Sequence, residues 1–133
     1  MNDRFFRLLA AWAALIAAIG VIMGAFGAHA LKSRIPPDAL DTFKTGVLYL
    51  FIHALACILL AVLPKNQAGD RMLKFSGVMF MLGVILFSGS LFLLSTRSIT
   101  GIESTAIGIV TPFGGMCFIT GWFSLATWGF RRL

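Results

Sequence analysis

A chain of 133 residues that is 59% hydrophobic and 12% charged, with a mean hydropathy of +0.93, carries about half the charge of a soluble domain. Composition therefore excludes an ordinary water-soluble enzyme or binding domain, and lipid must supply much of the solvent. The net charge of +6 comes from lysines and arginines that punctuate apolar runs and form no basic stripe, which points to flanking charges on membrane helices and away from nucleic acid.

Four apolar runs are long enough to cross a hydrocarbon core, which takes roughly 20 helical residues. The first runs from Phe5 to Leu31. Arg4, Arg7 and the closing Ala28-His29-Ala30 outline a signal peptide. A signal core, however, is about 7–15 residues long; this run is far longer and is expected to stay as a spanning helix. The second runs from about Thr45 to Leu63. It can start earlier, at Pro37, because proline suits a first helical position and Asp38 and Asp41 suit the positive helix end. The third covers about Met72 to Ser95. The fourth ends at Phe130 and has two possible starts. Either Thr111 caps a helix beginning at Pro112, or the helix begins near Thr105 and Pro112 kinks it, freeing the carbonyl of Gly108.

The connections, at residues 32–44, 64–71 and 96–104, are short. Short links make consecutive helices antiparallel. The expected fold is an all-α membrane protein, an antiparallel four-helix transmembrane bundle forming one domain over residues 1–133. Lysines and arginines decide its orientation. With the N-terminus inside, Arg4, Arg7, Lys65, Arg71, Lys74, Arg131 and Arg132 face the cytoplasm, against Lys32, Arg34, Lys44 and Arg97 outside. Both termini are therefore expected to be cytoplasmic in a multi-pass protein of the inner (plasma) membrane.

Spanning helices gain nothing by hiding leucine from lipid, so close backbone approach must hold them together, and small residues permit it. On the first helix Gly20, Gly24 and Ala28 recur every four residues and are expected to face a neighbouring helix. Gly77 and Gly83 serve the third helix, and Gly114, Gly115 and Gly121 the fourth.

Polar groups inside the apolar runs are the candidate site. Thr45, Tyr49 and His53 are four apart and share one helical face. At 1.5 Å per residue from the outer boundary, His29 lies roughly 4 Å deep, Tyr49 roughly 8 Å and His53 roughly 13 Å; Ser88 and Ser90 fall at about 10–14 Å. Thr111 is level with them if the fourth helix starts near Thr105. These depths predict an outer-half pocket with His29 at its mouth and His53, Ser88, Ser90 and Thr111 at its floor. His53, too deep to stay unsatisfied, would bond Ser88, Ser90, Thr111 or the backbone freed by Pro112.

Four segments in order, "GAFGAHAL", "TGVLYLFIHALA", "FSGSLFLL" and "TPFGGMCFITGW", resemble the signatures of the YgdD/YwdK-type small inner-membrane proteins, domain-of-unknown-function family 423, which has animal four-helix relatives. The resemblance spans nearly the whole chain. It implies an inner-membrane protein of four helices and brings no established activity or catalytic residue. Where family members often read Tyr-Gln before the histidine, this chain has Tyr49-Leu50.

The residues themselves show no CxxC, HExxH or acidic pair, and the spans hold no Asp or Glu. No catalytic or metal site is expected, and a proton-coupled transporter is disfavoured. Cys57 and Cys117 lie in apolar helices, as inert thiols do. A bis-histidine haem b would need His29 and His53 at one height, whereas their depths differ by about 9 Å. The function expected first is structural, accessory to a membrane complex or a homo-oligomer. A binder of a small apolar or amphipathic ligand, lipid or quinone, in the outer-leaflet pocket comes second, and a His-ligated haem protein last.

Overall fold

The computed structural model describes residues 3–65 and 70–132; residues 66–69 of the connection expected at 64–71 lie outside the described residues. Each apolar run is a helix. The first helix, Asp3–Phe26, is extended by a π-helical turn, Gly27–Leu31. The second, Pro37–Val62, begins at its proline, with Asp38 in the first turn. The third is Asp70–Gly83, a π-helical turn Val84–Ser88 and then Gly89–Ser95. The fourth, Thr105–Phe130, starts at Thr105 and keeps Pro112 inside it. The proline is tolerated because a transmembrane helix can re-satisfy the freed groups locally. A single-turn helix, Arg97–Thr100, ends on Gly101, whose φ of 69° suits a residue without a Cβ.

All four helices are long and apolar enough to cross a membrane. They do not contribute equally to the interior. The most apolar window is 39% buried in the second and third helices and 17% buried in the first and fourth. The helices pack in chain order: the first on the second, the second on the third and the third on the fourth, with little backbone contact between the first and third or the second and fourth. Phe6, Leu9, Leu50, Cys57, Leu60, Leu73, Phe80 and Phe118 make the main core, and Leu31, Ile35, Leu40 and Phe43 a smaller one at the loop end.

Glycines set the register of every pair. A Cβ on Gly20 would lie 2.7 Å from Leu50 and one on Gly27 2.9 Å from Phe43, so the first two helices run antiparallel in close contact. A Cβ on Gly46 would lie 2.8 Å from Phe92, across the second and third helices. Gly114 lies directly on the backbone of Phe87, whose Cα a methyl group would meet at 2.8 Å. The stripe expected on the first helix is corrected in one respect: Ala28 is exposed, and buried Gly27 takes its place. Steps of four advance about 40° beyond a full turn each. Gly24 therefore still faces Val47, 3.7 Å from its would-be Cβ, but Ala28 has rotated off the contact.

Candidate functional site

His53 lies near the middle of the second helix and is 2% exposed. Side chains on a helix lean toward its N-terminus, which brings Nδ1 to the carbonyl oxygen of Tyr49, 2.7 Å away. The other ring nitrogen, Nε2, is reached by the indole of Trp122 on the fourth helix at 3.0 Å. Indole Nε1–H can only donate, so Nε2 carries the lone pair and Nδ1–H donates to Tyr49. The imidazole is held neutral in one tautomer with both nitrogens satisfied.

Aromatic rings close the space around it. The imidazole stacks on Phe118 with centroids 3.5 Å apart and planes 8° off parallel, and Phe80 of the third helix stands 5.3 Å away. Tyr49 packs on Phe87 at 4.7 Å and on Phe118 at 5.9 Å. Phe80 and Trp122 complete the ring at 4.8 Å. Three helices, the second, third and fourth, thus supply the sides of an aromatic cage around His53.

The partners expected for His53 are therefore corrected. Ser90 Oγ bonds Thr111 Oγ1 at 2.7 Å and the Phe87 carbonyl at 2.8 Å, while Thr111 also reaches the Ile107 carbonyl at 3.3 Å. Ser88 is fully buried with its hydroxyl unpartnered among the described residues. Neither serine reaches the imidazole. The contacts Gly46–Phe92 and Gly83–Phe118 put His53 level with about residue 84 of the third helix. That is some six residues, roughly 9 Å, from Ser90. Pro112 is exposed, as is Thr45, whose hydroxyl bonds the Asp41 carbonyl at 2.9 Å.

His29 is exposed on the π-helical turn. The pairs Gly27–Phe43 and Gly20–Leu50 place His53 beside about residue 17 of the first helix, three turns from His29 and roughly 17 Å along the axis. The two imidazoles cannot ligate one iron, and Nε2 of His53 is already engaged. Among the described residues no three of His, Cys, Asp and Glu cluster as a metal site. A loop-end cavity of about 570 Å³ does exist, lined in part by Asp38, Thr42, Ser95, Arg97 and Ser98; the expected pocket residues do not line it.

Sequence reasoning missed Phe118 and Trp122. Their signal was present in "CFITGW": an indole N–H deep in an apolar helix requires an acceptor, and His53 carries the deepest unassigned lone pair. Depth was measured from helix ends, whereas the lean of side chains toward each N-terminus draws Trp122 back over the turn of Phe118.

Four antiparallel apolar spans around a buried, hydrogen-bonded imidazole define a polytopic all-helical membrane protein, and the relatives described below carry membrane names. The chain belongs to the family described as Protein of unknown function (DUF423), whose family model matches residues 23–115. It is 38% identical over 112 residues to the UPF0382 membrane protein YwdK of Bacillus subtilis, covering 84% of this chain and 87% of that one. It is 34% identical over 122 residues to the UPF0382 inner membrane protein YgdD of Escherichia coli K12, covering 92% and 86%. A Haemophilus influenzae UPF0382 membrane protein is 35% identical over 111 residues, 84% of each chain. No solved structure matches. The protein is a multi-pass protein of the inner (plasma) membrane.

Proposed function

We propose that the protein is a small structural component, accessory to a membrane complex or assembled as a homo-oligomer, and not an enzyme. The observation that supports this reading is the saturation of His53. Intramembrane ionisable groups are functional candidates by default, yet this imidazole uses one nitrogen on Tyr49 and the other on Trp122. It acts as interhelical glue and has no free lone pair for a ligand, proton or iron. A second reading, a binder of a lipid or quinone, rests on the loop-end cavity of about 570 Å³, within the usual range for small-ligand sites.

Purification in mild detergent separates the two. The structural reading expects no Soret band, no stoichiometric quinone or lipid in an organic extract, and co-purification with itself or a defined membrane partner. A quinone at one per chain, lost on Arg97→Ala, would replace it with the binder.

A further inference from the structure

At the end of the bundle that carries the chain termini, a cavity of about 310 Å³ opens between the first and second helices, lined by Phe6, Arg7, Ala10, Ala61 and Lys65. Lys65 follows the second helix and folds back over its end. Its Nζ donates to the carbonyls of Ala61 and Leu63 and stands 4.7 Å from the centre of the Phe6 ring. Helix C-termini and aromatic faces both favour a cation, so the ammonium is positioned in advance, with its third proton left over. Arg7, on the opposite wall, is exposed. The one ion pair among the described residues is Lys44 with Asp41, at the other end of the molecule. Among the described residues, two cations thus line one cavity with no carboxylate on its walls.

The cavity lies on the flank of two spanning helices. From it Ala10, Ala14, Ala17 and Val21 follow one another along one face of the first helix toward the bilayer centre, and Ala10 shares the cavity wall with Ala61 of the second helix. Small side chains there leave a shallow apolar seam. Paired basic residues at the interface attract anionic lipid headgroups, and an apolar seam below them suits the attached chain better than it suits a soluble anion. We propose that Arg7 and Lys65 hold the phosphate of an anionic membrane phospholipid whose acyl chain lies along the seam between the first two helices.

Native mass spectrometry of the full chain, released from nanodiscs of equal parts phosphatidylcholine and phosphatidylglycerol, tests it. Wild type should retain phosphatidylglycerol preferentially. The double variant R7Q/K65Q should lose that preference by roughly 30-fold, from the contribution of two basic residues near a lipid surface. R7K/K65R should keep it. R131Q/R132Q, which removes the same charge from the fourth helix, should keep it too. Equal losses in R7Q/K65Q and R131Q/R132Q would reduce the effect to general attraction and overturn the site. Stabilisation of phosphatidylcholine-only discs by inorganic phosphate, lost in R7Q/K65Q, would assign a soluble anion and overturn the lipid. Should R7Q/K65Q fail to fold, R7Q alone decides, since Arg7 is exposed and lies outside the core; unchanged retention there sinks the proposal.

Discussion

Trp122 Nε1 donates to His53 Nε2 at 3.0 Å, joining the second and fourth helices, whose backbones hardly approach each other. These two helices are otherwise coupled through the third and through the rings of Tyr49, Phe80 and Phe118. Removing either partner leaves the other polar group without a bond in apolar surroundings. His53→Leu and Trp122→Phe should each cost about 1–2 kcal/mol in detergent unfolding. The double variant should fall short of their sum by about 0.5–2 kcal/mol; strict additivity would show that the bond contributes no stability.

Gly114 and Gly108 lie on the same helix in opposite circumstances. A Cβ at Gly114 meets the backbone of Phe87, which cannot swing aside, while nothing lies within 4 Å of one at Gly108. Gly114→Ala should lower stability by about 1–3 kcal/mol through overpacking. Gly108→Ala should leave the melting temperature unchanged or raise it, because alanine is the better helix former. Comparable melting temperatures for the two variants would contradict the close packing of the third and fourth helices.

Ser88 and Ser90 are both buried, yet their hydroxyls differ. Ser90 bonds Thr111 and the Phe87 carbonyl, and Ser88 bonds neither side chain nor backbone among the described residues. Ser90→Ala should cost about 0.6 kcal/mol, the usual size of an interhelical bond in a membrane. Ser88→Ala removes an orphaned hydroxyl and should be neutral or stabilising. Thermal scans of the two variants decide; a larger loss at Ser88 reverses this reading of the π-helical turn.

The seven-to-four distribution of basic residues predicts that both termini face the cytoplasm. In a background without Cys57 and Cys117, a cysteine at Ser98 should react with an impermeant maleimide applied to intact cells. Cysteines at Asn2 and Gln67, both outside the described residues, should react only after permeabilisation. Labelling of Gln67→Cys from outside would invert the topology.

The four spans, their alternating direction and the helical face shared by Tyr49 and His53 were legible in the sequence, because lipid imposes length and polarity on each helix separately. Pro37 as the start of the second helix was legible for the same local reason. Whether the fourth helix began at Thr105 or Pro112 depended on how the third helix receives it: Gly114 on Phe87 and Ser90 on Thr111 hold the stretch through Pro112 against its neighbour. The partner of His53 was decided only by the tertiary structure. Depth along an axis ranks residues to within a turn, but a hydrogen bond needs agreement within an ångström, and that comes from register and side-chain lean together. Glycine contacts set the register, so His53 meets Trp122 and Phe118 while Ser90 finds Thr111 two turns away. Ala28 and His29 turned outward by the same rule: a four-residue repeat drifts around an α-helix, and only packing against Phe43 determined that Gly27 would be the residue left facing in.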